Sequence, residues 1–228
     1  MVRLNTTAWL AAGLFGVVMS ATPGSATTIA DPAGDFLASY TGPLNADVDI
    51  LSATAVRDTT GVRLSATVDG DIGTAGALYV WGINRGAGTA RLSFGSPSVG
   101  AGVLFDALFV MFSNGDSRVV TFPSVGAPTI LVFPSSLEIS GGQISGFVPF
   151  NLLPSTGFAP ADYQYALWSR QRVNPAMDGP NSEIADFAPD VASFTASVPE
   201  ASTWAMLIAG FAAVGAAARR RKVAATMA

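Results

Sequence analysis

Aspartates are the residues in this chain best placed to do chemistry. Asp31, Asp35, Asp47 and Asp49 fall close together, and Asp69 and Asp71 flank Gly70. Carboxylate oxygens are hard ligands, and several converging from neighbouring turns can hold a calcium ion. A second stretch with Asp178, Asn181, Glu183 and Asp186 offers the same ligand types. Neither stretch has the loop spacing of an EF-hand. Aspartates that cap their own turns would give the same pattern, so the two readings stand side by side. Two carboxylates would also suffice for glycoside hydrolysis. Nothing marks one pair out among so many acids, and the expectation is a protein that is not an enzyme.

Aromatic side chains supply the other chemistry, because their faces pack against the C–H surfaces of sugars. Tyr79, Trp81, Tyr163, Tyr165 and Trp168 are the candidates. Trp81 and Trp168 read as core. Tyr163 and Tyr165 share one face of an expected strand and read as the surface pair for glycan binding.

What is missing is as informative. The 228 residues hold no cysteine and no histidine. Disulfides, thiol catalysis, imidazole ligands and Ser-His-Asp triads are therefore excluded. No cofactor is expected, calcium at Asp31, Asp35, Asp47 and Asp49 being the one alternative. Between residues 27 and 197 fifteen acids face seven arginines, leaving −8. Such a surface disfavours nucleic acid as a partner.

The elements that must position these residues read as β throughout. Gly61 to Val68 alternates, with Val62, Leu64, Ala66 and Val68 on one face and Arg63, Ser65 and Thr67 on the other. Further strands are expected over Val48–Val56, Leu78–Ile83, Val103–Phe112, Arg118–Phe122, Thr129–Phe133, Leu137–Ser140, Gln143–Val148 and Tyr163–Trp168. Val103–Phe112 is the most apolar run and reads as a central strand. Ser113-Asn114-Gly115-Asp116 after it predicts a hairpin with a type I′ turn. Ser169 to Pro189 reads as a loop, and Ala188 to Ser197 as a last edge strand or a linker. Eight to ten short strands with no helical period predict an antiparallel β-sandwich or jelly roll.

Both ends carry targeting signals. Arg3, an uncharged apolar run from Ala8 to Met19, and Gly24-Ser25-Ala26 read as a secretory signal peptide over residues 1–26, cut after Ala26, with a cut after Ser20 as the alternative. At the other end, Val198-Pro199-Glu200-Ala201-Ser202-Thr203-Trp204 leads into an apolar stretch that closes on Arg219, Arg220, Arg221 and Lys222. A helix from about Ala201 to Ala218 would be about 27 Å long at ~1.5 Å per residue, a marginal span. The basic flank keeps residues 223–228 cytoplasmic and puts the 27–197 domain across the membrane.

Residues 198–222 resemble the PEP-CTERM sorting domain of exported proteins in Gram-negative bacteria. Val198, Pro199, Glu200, Ser202, Trp204 and Arg219, Arg220 and Arg221 stand in the matching order, with Ala201 where that family has a second proline. The resemblance implies processing by an exosortase-type membrane protease, with the precursor anchored in the inner membrane. The processed product would then lie at the cell surface or outside the cell. It also implies an association with exopolysaccharide and biofilm.

The opening of the 27–197 domain carries a second resemblance. Asp31-Pro32-Ala33-Gly34-Asp35 followed by Asp49-Ile50-Leu51 is similar to the start of family 9 carbohydrate-binding modules and DOMON domains. That resemblance implies a sandwich that binds a ligand. The expected function is a non-enzymatic structural or carbohydrate-interacting component of the extracellular matrix. The alternatives are a secreted glycan-acting hydrolase and a calcium-dependent binding protein.

Overall fold

Twelve strands are present among the described residues of the computed structural model, which are 26–88, 99–173, 181–190, 192–197 and 211–212. In order they are β1 (Thr27–Ala30), β2 (Ile50–Arg57), β3 (Gly61–Val68), β4 (Ala77–Asn84), β5 (Ala107–Phe112), β6 (Ser117–Thr121) and β7 (Thr129–Phe133). Then come β8 (Glu138–Ser140), β9 (Gln143–Pro149), β10 (Gln164–Gln171), β11 (Ile184–Ala188) and β12 (Phe194–Thr195). One antiparallel sheet runs β1-β2-β3-β9-β8 and the other β11-β10-β4-β5-β6-β7, with β12 also paired to β10. The protein is an all-β antiparallel sandwich, as the turn spacing predicts.

Alternation explains the packing of the smaller sheet. In β3 Val62, Leu64, Ala66 and Val68 are buried while Arg63 is exposed. They meet Tyr79, Trp81, Phe109 and Leu167 from the larger sheet in the main core. The other face of the larger sheet is covered too: Leu78, Val80, Phe105, Trp168 and Phe187 form a second cluster there. Every residue of β4 is therefore buried. Gly82 in its middle allows the close approach of Trp168, since a Cβ there would lie 2.8 Å from the indole ring. Each large side chain so enclosed contributes about 1.5–3 kcal/mol.

Three expectations about elements need correction. The apolar run Val103–Phe112 is a strand only from Ala107, because Asp106 turns to accept from Arg85 Nε at 2.8 Å. The Asn114-Gly115 hairpin exists, but it is not type I′. Gly115 has φ +91°, while Asn114 is not among the residues with positive φ. The Gly115 N–H donates to Phe112 O at 3.0 Å, and the Phe112 N–H donates to Asp116 O at 3.0 Å. This is a three-residue loop closed by a glycine bulge. Finally, Ser169–Pro189 is not simply a loop. Ser169–Gln171 continues β10, and Ile184–Ala188 is a wholly buried strand.

Gly24–Glu200 forms one compact unit. Outside it, Phe211 and Ala212 are described and are helical. No helix among the described residues is long and apolar enough to cross a membrane. The expected signal peptide before Ala26 lies outside the described residues, as do Val198, Pro199, Glu200, Ser202, Trp204, Arg219, Arg220 and Arg221.

Candidate functional site

Two β-bulges build the most unusual site in the molecule. Pairing of β2 with β3 slips at Leu51, and pairing of β11 with β10 slips at Ala185. Bulges re-aim the side chains beside them. Here they flank Asp49 and Asp186, which are 3% and 0% exposed. The loop after β1 hangs from the same two bulges. The Asp31 N–H donates to Leu51 O at 2.9 Å, and the Leu37 N–H donates to Ala185 O at 2.8 Å. Between these ties Gly34 takes φ +80°, a conformation that favours glycine, and its N–H donates to Asp49 Oδ2 at 2.7 Å.

Five aspartates converge as a result. Carboxylate oxygens of Asp35, Asp49 and Asp186 lie within 4.8 Å of one another, and so do those of Asp31, Asp35 and Asp190. Asp186 Oδ2 also accepts from the Ile50 N–H at 2.8 Å, joining an edge of the larger sheet to the start of β2 in the smaller one. Asp31 Oδ2, Asp35 Oδ1 and Asp49 Oδ1 are buried with no hydrogen-bond partner. The ion pairs among the described residues, Arg63–Glu138, Arg85–Asp106 and Arg170–Glu183, all lie elsewhere.

The electrostatics follow from that geometry. Burial pushes the Asp186 carboxyl up to about 8, with Asp31 and Asp35 adding to the rise against the hydrogen bond from Ile50. Burial, then the charges of Asp35 and Asp190, push Asp31 up to about 7. Asp49 is raised as well, first by burial. A carboxyl taken out of water beside other carboxyls favours its neutral form.

Of the sequence candidates, Asp31, Asp35 and Asp49 come together, but Asp47 does not. Its carboxylate accepts from Gly73 N–H at 3.0 Å, Thr74 N–H at 2.7 Å and Thr74 Oγ1 at 2.6 Å, holding a turn. Asp47 thus holds a turn 26 residues further on rather than its own. The second acidic stretch divides: Asp178 lies outside the described residues, Glu183 pairs with Arg170 at 3.5 Å, and Asp186 joins the first cluster.

Tyr163 and Tyr165 are not a surface pair. Both are fully buried, with the Tyr163 hydroxyl donating to Leu153 O at 2.9 Å and the Tyr165 ring 6.4 Å from Phe194. Their shared face is the one that meets the smaller sheet. Trp81 and Trp168 are core, as expected. No exposed tyrosine or tryptophan occurs among the described residues. A buried pair escaped the sequence reading altogether: Arg85 binds Asp106, and its Nη1 donates to Pro154 O at 2.9 Å.

No curated protein and no solved structure matches the chain, so the likeness of its opening to carbohydrate-binding and DOMON sandwiches gains no support. One family model does match, described as the PEP-CTERM protein-sorting motif, over residues 197–222. The chain carries that motif, which implies an exported protein anchored in a membrane before exosortase processes it.

Proposed function

We propose that the sandwich is a non-enzymatic, structural or carbohydrate-interacting component of an exopolysaccharide matrix, delivered to the cell surface by exosortase. One observation carries this reading. The sorting motif starts at Ser197, whose bridge to Val56 is the last pairing among the described residues, so the signal follows the sandwich directly. The acidic balance of residues 27–197 supports a role in solvent outside the cell rather than on nucleic acid. With Tyr163 and Tyr165 in the core, contact with polysaccharide would rest on polar and acidic surface groups rather than on that tyrosine pair.

The test is fractionation of the producing cells, with and without their exosortase and with and without their exopolysaccharide. Processed protein should pellet with the polysaccharide, and the unprocessed form should stay with membranes when exosortase is deleted. Processed protein that remains in the supernatant whether or not polysaccharide is made would overturn the matrix role while leaving sorting intact.

A further inference from the structure

We propose that Asp31, Asp35, Asp49 and Asp186 bind one calcium ion, with Asp190 reaching it from the solvent side. The acids alone would not carry this. What carries it is Asp49, nearly fully buried, with one oxygen fixed by Gly34 and the other unpartnered inside the cluster. Asp31 and Asp35 each add a buried oxygen with no partner. Buried carboxylate oxygens are ordinarily paired or bound to a metal, because leaving them bare forfeits their hydration. The ion pairs among the described residues bring no cation to them.

The chemistry of the cluster selects the ion. All the ligand atoms are carboxylate oxygens, which suits a hard cation. Oxygens on opposite sides of calcium, each 2.3–2.6 Å away, stand about 4.6–5.2 Å apart. The oxygens within each group of three lie within 4.8 Å of one another, close enough for one calcium ion to touch all three. Magnesium keeps several of its waters and takes only one or two carboxylates, so a set of four or more carboxylates suits calcium better. The two bulges, the Gly34 turn and the Ile50–Asp186 hydrogen bond hold the ligands in place before any ion arrives. An ion there would tie the loop after β1, the start of β2 and β11 into one unit.

The test uses the full chain purified in detergent and stripped with EGTA. Titration calorimetry should find one calcium per chain, and the unfolding midpoint should rise by about 5 °C or more at millimolar CaCl2, and by less with MgCl2. Asp49→Asn and Asp186→Asn keep the shape of each side chain and should lose that rise. Asp71→Asn, exposed and outside the cluster, should keep it. If the buried variants fail to fold, Asp35→Asn on the loop takes their place. No binding heat and no rise in the unaltered protein would overturn the proposal. So would a full rise in Asp49→Asn or, where that variant does not fold, in Asp35→Asn.

Discussion

The backbone N–H of Thr27 donates to Ser197 Oγ at 2.7 Å, so both ends of the sandwich meet at one corner. Ser197 also bridges Val56, and its carbonyl accepts from the Arg57 N–H at 3.1 Å. Ser197→Ala removes the acceptor for Thr27 and should cost about 0.5–1.5 kcal/mol. Urea unfolding measures it. An unchanged midpoint would mean that water replaces the hydroxyl without loss.

The acidic cluster sets a pH dependence in the calcium-free protein. Folded Asp31 and Asp186 hold their protons up to about 7 and about 8, against 3.8 for an ordinary aspartate. Between pH 4 and 8 the unfolded chain therefore releases protons that the folded chain keeps. The folded state binds more protons there, so stability falls as pH rises. In EGTA the unfolding midpoint should drop between pH 5 and 8. A flat profile across that window would contradict the burial of uncompensated carboxyls.

Arg85 and Asp106 are a different kind of buried charge, since each has its partner. Their side chains are 3% and 5% exposed, and the Asp106 carboxylate also accepts from the Arg85 and Ala87 N–H groups and from Thr156 Oγ1. Arg85→Ala strands that carboxylate and should cost about 3–5 kcal/mol, whereas replacing both residues with apolar ones should cost less. Guanidinium melts of the single and double variants decide between these outcomes. A double variant as unstable as Arg85→Ala would count against stranded charge as the cause.

Tyr165→Ala should behave as a core deletion. The side chain is fully buried between β12 and the smaller sheet, and its loss should cost about 3–5 kcal/mol. A variant of normal stability would return Tyr165 to the surface.

Much of this was legible where chemistry alternates along the chain. β3 matches its expected bounds because one face is apolar and the other polar. β11 was missed because Ile184-Ala185-Asp186-Phe187-Ala188 is buried on both faces and so shows no alternation. Sequence spacing put Tyr163 and Tyr165 on one face, but only the position of the second sheet reveals which face that is. The acid site was half legible. Asp31, Asp35 and Asp49 are near neighbours in the chain, whereas Asp186 joins them across a separation of 136 residues from Ile50. Asp47 shares their composition, but the turn it holds faces elsewhere.

The exit of the chain has a mechanical consequence. β12 hydrogen-bonds to β10 in the larger sheet, and two residues later Ser197 is fastened to Val56 and Arg57 in the smaller one. A tether attached beyond Ser197 therefore grips both sheets at once. A pull on the chain beyond Ser197 would thus be divided between the two layers.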